Sequence, residues 1–156
     1  MFQLFFFDFR LGKQIKFFHW GLKIQIGIDA IVLQCGADAV ADDPQSHLSL
    51  SNNAHWQIVA ALRPLCPRYL VLGGGGYNPW SVGRLWTGVW ATLNGHEIPD
   101  RLPAGAESVL RALEWSGHRK AKNPPEHWFT TLRDRARNGQ VREMLRARVT
   151  QLAARI

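Results

Sequence analysis

The sequence lacks the patterns that mark several large classes of protein. It has only two cysteines among 156 residues, which excludes a disulfide-stabilised scaffold, and it has no CxxC pair and no HExxH motif. No apolar run approaches the roughly 20 residues of a membrane helix. Charges at Asp8, Arg10 and Lys13 interrupt the apolar opening segment, which argues against a signal peptide. We therefore expect a cytoplasmic globular protein.

Negative charge is scarce towards the C-terminus. The formal net charge is +7, with seven Lys/Arg and seven Asp/Glu in residues 1–100 but twelve and five in residues 101–156. Such an excess allows binding to nucleic acid or to an acidic partner. The basic residues are scattered and no nucleic-acid-reading motif accompanies them, so we favour a solvated helical face and keep nucleic-acid binding as an alternative.

Two short apolar runs, residues 29–34 and 69–72, are separated by a segment with helical periodicity that begins after Ser51. Continuous apolar runs are typical of strands buried on both faces of a parallel sheet, and a helix between two such strands forms a βαβ unit. Ligands bind at the carboxyl ends of strands in open α/β sheets. Because Asp38 and Tyr77 follow the two runs, we expect them at the same rim.

The turn at residues 73–76 consists of four glycines, which let the backbone approach a ligand closely or adopt positive φ. A phosphate cradle is the rival interpretation, but GGGGYN lacks the Lys-Ser/Thr of a P-loop and the GxGxxG spacing. The Tyr77 hydroxyl is a neutral donor suited to a developing oxyanion, and packing of its ring over the turn is the alternative. From the residues alone, Asp38 is a metal ligand, a base or a helix cap.

Two further polar positions receive structural interpretations. His55 lies on the apolar face of the helix after Ser51, and we expect a buried, hydrogen-bonded core residue there and not a ligand. Asp42 and Asp43 precede a proline in a predicted loop, where we expect solvated carboxylates.

The chain contains four motifs in succession, namely QCGAD at 34–38, LSLSNNAH at 48–55, LVLGGGGY at 70–77 and VGRLWT at 82–87. In this order and spacing they resemble the histone deacetylase family. The resemblance covers about residues 29–115 and corresponds to the C-terminal part of the catalytic domain of a bacterial deacetylase or acetoin-utilisation-type member. It implies an α/β fold, a partial three-layer α/β/α arginase/deacetylase-like arrangement with parallel strands, truncated on its N-terminal side.

The resemblance also implies chemistry, namely zinc-dependent hydrolysis of the acetyl amide of acetyl-lysine or a similar acetylated amine. Asp38 would be a zinc ligand, Tyr77 the catalytic oxyanion donor, and Gly75 and Gly76 the wall of the substrate-binding acyl tunnel. The family's paired histidines and Asp-x-His ligands have no counterpart in this sequence. We therefore expect weak zinc binding and an inactive isolated chain. A non-enzymatic acyl-lysine-binding module is the alternative.

These observations divide the chain into three segments: an unassigned residues 1–28, a deacetylase-like residues 29–116 and a basic helical tail at residues 117–156. Seven phenylalanines in the first eighteen positions make the first segment unusual. Either it is not native to the family, as in a truncated or frame-shifted gene model, or it is an edge strand that replaces missing sheet. We favour the former, because an exposed aromatic run promotes aggregation.

The expected partners are an acetylated protein or a small acetylated amine, with no membrane. Removal of part of a sheet exposes a strand edge, and exposed edges pair with other chains. Self-association through such an edge is therefore expected as well.

Overall fold

The computed structural model describes residues 2–8, 13–16, 29–116, 122–135 and 140–154. Within them the strands are β1 (Phe2–Asp8), β2 (Lys13–Lys16), β3 (Ala30–Cys35) and β4 (Tyr69–Leu72). The helices are α1 (Asn52–Leu62), α2 (Pro79–Asn94), α3 (Ala104–Ala112), α4 (His127–Thr130) and α5 (Glu143–Ala153), with short 3-10 turns at Ala37–Ala39 and Arg63–Leu65. None of these helices is both long and apolar enough to cross a membrane.

The sheet has the order β2-β1-β3-β4. β3 and β4 are parallel, with Ile31 opposite Tyr69 and Gln34 opposite Leu72, and α1 connects them. This confirms the βαβ unit and the α/β class with parallel strands. β1 runs antiparallel to β3 on its other side and β2 runs antiparallel to β1, so the described sheet is mixed.

The strands β1 and β2 fall in the unassigned N-terminal segment. Residues 2–8 and 13–16 add to the sheet, as the second interpretation of that segment supposes. Positions 9–12 and 17–28 lie outside the described residues, as do 117–121 and 136–139 of the basic tail. Whether the N-terminal segment is native to the family stays a prediction, and so do the three domain boundaries.

The core lies on one face of the sheet. Ile31, Leu33 and Cys35 alternate along β3 as fully buried residues, and α1 and α2 cover them. Burial on both faces was the wrong expectation for these strands, because Leu70 and Leu72 of β4 are 53% and 42% exposed. The helices contribute apolar stripes to the core, listed in chain order as Trp56, Val59, Leu85 and Val89.

The ends of α2 follow from its sequence. The side chain of Asn78 accepts hydrogen bonds from the backbone N–H groups of Trp80 and Ser81, and Pro79 occupies the first helical position, where no N–H is needed. Gly95 closes the helix with φ of 72°, a left-handed conformation that glycine adopts without a steric penalty. This cap fixes the start of α2 immediately after Tyr77.

The contact between α1 and α2 depends on Gly88. A Cβ at this position would overlap the Trp56 indole, whose Nε1 donates to the Leu85 carbonyl at 3.0 Å. Gly88→Ala should therefore lower the free energy of unfolding by roughly 1–3 kcal/mol through overpacking. Gly83→Ala is the control in the same helix, because nothing lies within 4 Å of its Cβ, and it should raise stability by about 0.5–1 kcal/mol.

Urea unfolding followed by circular dichroism measures both changes. Equal effects of the two substitutions would contradict close packing of α2 against Trp56.

Candidate functional site

The loops that follow β3 and β4 lie side by side at one end of the parallel pair. Asp38 sits in the 3-10 turn directly after β3, and Tyr77 lies between β4 and α2. The N–H of Ala37 donates to the carbonyl of Gly75 at 2.8 Å, so the two loops are joined next to both residues. Asp38 and Tyr77 therefore belong to one rim, as parallel neighbours require.

The glycines of the second loop allow this close approach. A Cβ on Gly75 would overlap the carboxylate of Asp38. Gly76 has φ of +137°, and a Cβ there would lie 2.6 Å from Val82 Cγ2 and 2.8 Å from the Cβ of Ala37. Both positions thus exclude side chains for steric reasons, and Gly76 also has a backbone conformation that L residues rarely adopt.

Tyr77 combines an anchored backbone with an exposed side chain. Its residue is 49% exposed, whereas its N–H donates to Oδ2 of Asp43 at 2.6 Å. Asp43 itself is only 3% exposed, so the expectation of a solvated carboxylate is wrong at this position. Asp42 is half-buried and accepts a hydrogen bond from Trp128 Nε1 at 3.0 Å, so it too is more than a solvated loop residue.

Two titratable groups lie behind the Asp38 turn. Burial raises the pKa of the Cys35 thiol to about 12, so this thiol stays protonated at neutral pH and is not a nucleophile. His55 is fully buried, and its Nε2 lies 3.3 Å from the carbonyl of Gly36. Burial is the main cause that lowers the pKa of His55, which favours the neutral imidazole. Its burial in the core is confirmed.

A second polar cluster lies beneath the rim and was not predicted from the sequence. Potential ligand atoms of Asp42, His127 and Asp134 all lie within 4.8 Å of one another. The buried guanidinium of Arg84 forms an ion pair with Asp134 at 3.0 Å, and Arg84 also donates to the carbonyls of Thr131 and Arg133. Because a cation is already built into this cluster, we interpret it as a structural ion-pair network.

A zinc ion at the rim would find few ligands in the described part of the chain. Asp38 is not a member of the one group of three potential metal ligands found there. A single carboxylate does not meet the three protein ligands of a catalytic zinc site. The described residues alone therefore do not fit a tightly held zinc ion.

Comparison with known proteins decides the family. The model of the histone deacetylase domain matches residues 26–93. Those residues belong to the histone deacetylase family. Histone deacetylase 7 of Arabidopsis thaliana is 37% identical over 97 residues, which are 62% of this chain and 24% of that protein. Histone deacetylase 1 of Oryza sativa subsp. japonica is 36% identical over 93 residues, or 60% of this chain and 16% of that one.

Solved structures agree with the sequence match. A crystal structure of an HDAC homolog complexed with SAHA has a TM-score of 0.67 and 30% identity, over 78% of this chain and 32% of that chain. The HDAC homolog from Aquifex aeolicus gives a TM-score of 0.64 and 29% identity over the same shares. The chain thus spans less than a third of the length of these histone deacetylase relatives.

The buried state of His55 predicts a pH dependence. A lowered pKa in the folded chain means that stability is present above the ordinary value of about 6.5 and is lost as the pH falls. His55→Gln should therefore show a smaller loss of unfolding free energy between pH 7.5 and 5 than the unmodified chain. His47→Gln, at an exposed position, should keep the unmodified dependence.

Urea titrations at both pH values provide the measurement. If His55→Gln loses as much stability on acidification as the unmodified chain, the buried neutral imidazole is disproved.

Proposed function

We propose that this chain supplies one side of a deacetylase active site that acts on acetyl-lysine or a similar acetylated amine. In this proposal Asp38 is a metal ligand, Tyr77 is the hydrogen-bond donor to the oxyanion, and Gly75 and Gly76 form a wall of the acyl tunnel. The observation that carries it is the direct joining of the two loops, with the Ala37 N–H bonded to the Gly75 carbonyl at 2.8 Å.

Tyr77 suits its proposed task. Attack on an acetyl carbonyl places negative charge on the carbonyl oxygen, and a donor aimed at that oxygen lowers the barrier. A phenol hydroxyl can donate a hydrogen bond to such an oxygen, and the residue is 49% exposed, so a substrate can reach it. Its N–H, bonded to Oδ2 of Asp43, holds the backbone of the residue in place.

The glycine wall supports the same assignment. An acyl chain needs a narrow passage beside the reacting carbonyl, and backbone without side chains forms the closest such surface. Gly75 packs so near Asp38 that a methyl group would overlap the carboxylate. Any larger residue at this position would displace Asp38 from its place in the rim.

Zinc is the cofactor that family membership leads us to propose, and it would polarise the acetyl carbonyl when bound. This chain would contribute Asp38 alone, so the remaining ligands and the histidine bases come from elsewhere. We therefore propose that the chain is inactive by itself and active when joined with the complementary part of a deacetylase.

Complementation tests the proposal. The chain is mixed with the part of the Aquifex aeolicus homologue that lies outside the aligned region, zinc is added, and release of acetate from an acetyl-lysine peptide is measured. The mixture should be active and each component alone inactive. Tyr77→Phe should lower kcat roughly 10²- to 10³-fold, since it removes one oxyanion donor. Asp38→Asn should abolish zinc-dependent turnover.

Leu48→Ala serves as a surface control in the same assay, because Leu48 is 61% exposed and lies outside the rim. No activity in the mixture would contradict the proposal. Binding of the peptide by the chain alone, unchanged by chelator and by Tyr77→Phe, would favour a non-enzymatic acyl-lysine-binding module instead.

Self-association is the second part of the proposal. β4 is the outer strand of the described sheet, and its Leu70 and Leu72 are exposed at the edge that would pair with another chain. Leu72→Lys should shift the chain towards monomer in size-exclusion chromatography with light scattering. Leu48→Lys places the same charge away from the sheet and should leave the distribution unchanged.

A distribution that does not respond to Leu72→Lys would contradict association through this edge.

A further inference from the structure

We propose that Asp43 is a positioning residue that holds Tyr77 in place, an inference that rests on the proposed catalytic role of Tyr77. Asp43 is 3% exposed, and both of its carboxylate oxygens accept backbone hydrogen bonds. Oδ2 accepts from the N–H of Tyr77 at 2.6 Å, and Oδ1 accepts from the N–H of Gln45 at 2.9 Å. One side chain therefore connects the loop after β3 to the loop after β4.

A strong hydrogen-bond acceptor is useful at this position because the segment before Tyr77 is flexible. Tyr77 follows four consecutive glycines, and such a segment loses more conformational entropy on ordering than any other. A hydrogen bond to an ionised acceptor is roughly twice as strong as one between neutral groups. The carboxylate of Asp43 thus fixes the first non-glycine residue of the loop at its backbone, where the position of the phenol is determined.

A second hydrogen bond joins the same two loops at the neighbouring residues. The side chain of Asn78 donates through Nδ2 to the carbonyl of Asp42 at 3.0 Å, and its Oδ1 caps α2. Asp43 therefore binds Tyr77, and Asp42 binds the next residue, Asn78. No Lys or Arg forms an ion pair with Asp43 in the described part of the chain. The two backbone N–H groups are the partners of this carboxylate that the structure shows.

Amide exchange and a fluorine probe test, in the chain by itself, whether Asp43 holds the backbone of Tyr77. The sequence has two tyrosines, so Tyr69→Phe labelled with 3-fluorotyrosine carries a single 19F signal, from Tyr77. We expect a protected Tyr77 amide and one narrow 19F signal. Asp43→Ala should speed exchange of this amide at least about tenfold and broaden or shift the signal, because both hydrogen bonds are lost.

Two variants separate positioning from general stability. Asp43→Asn keeps one acceptor oxygen and should show an intermediate effect, which keeps the test informative if Asp43→Ala fails to fold. Asp134→Asn weakens another part-buried carboxylate, one that accepts from the N–H of Asn52 and pairs with Arg84. It should lower global stability without changing the Tyr77 amide or its 19F signal beyond what that loss of stability predicts.

Turnover in the complemented assembly supplies the functional readout. Asp43→Asn should lower kcat about 10- to 100-fold with KM changed less than about twofold, because a donor displaced by about 1 Å loses its effect mainly in the transition state. Asp134→Asn should leave kcat per folded molecule unchanged.

An unprotected Tyr77 amide in the unmodified chain, or exchange and kcat that ignore Asp43→Asn, would overturn the inference. If the unmodified assembly has no activity, the proposed function fails, while the amide and 19F measurements still decide whether Asp43 places Tyr77.

Discussion

The parallel pairing of β3 with β4 is the constraint on which the rest of the rim depends. Two parallel neighbours release their chains at the same end of the sheet, and the register that places Gln34 opposite Leu72 brings the two loops level. A shift of one residue would turn every side chain of a strand to the other face. In this register the N–H of Ala37 lies close enough to the carbonyl of Gly75 to form the hydrogen bond between the loops.

Below the rim, a buried ion-pair network holds the C-terminal segment against the βαβ unit. Arg84 on α2 is 1% exposed and binds Asp134 together with two carbonyls from residues 131–133. Asp134 in turn accepts the N–H of Asn52 at the start of α1. Removal of one partner of such a network leaves a buried charge uncompensated, whereas the desolvation of the whole network offsets much of its attraction. The network therefore fixes the geometry of these segments more than it adds to the free energy of unfolding.

The sequence contains local signals for much of this structure and few for its tertiary contacts. Continuous apolar runs predicted β3 and β4, and the Asn78-Pro79 pair is a local signal for the start of α2. The Asp43-Pro44 pair signals a turn, and Asp43 does accept from the N–H two residues later. Nothing in that local pattern reveals the second hydrogen bond, to Tyr77, because its partner lies 34 residues away.

The same reason explains the other unpredicted residues. Arg84 lies within a helical pattern in which an arginine ordinarily faces solvent, and only its acceptors 47 and 49 residues further on make its burial favourable. Trp90 shares the apolar periodicity of α2 but is 58% exposed and stacks on His96. Sequence periodicity shows which helix residues lie on the apolar face, whereas the neighbouring elements determine how much of that face is covered.

A hydrogen-bond donor is useful in catalysis only if it is reachable and does not have to be ordered during the reaction. The proposed role of Tyr77 depends on both conditions, which different atoms of this residue would meet. The backbone of Tyr77 is held by a buried carboxylate, while its ring remains about half exposed. The four glycines before Tyr77 let the backbone approach closely, but they are too flexible to order this residue by themselves. The buried carboxylate of Asp43 supplies that order at the first residue after the glycine-rich turn.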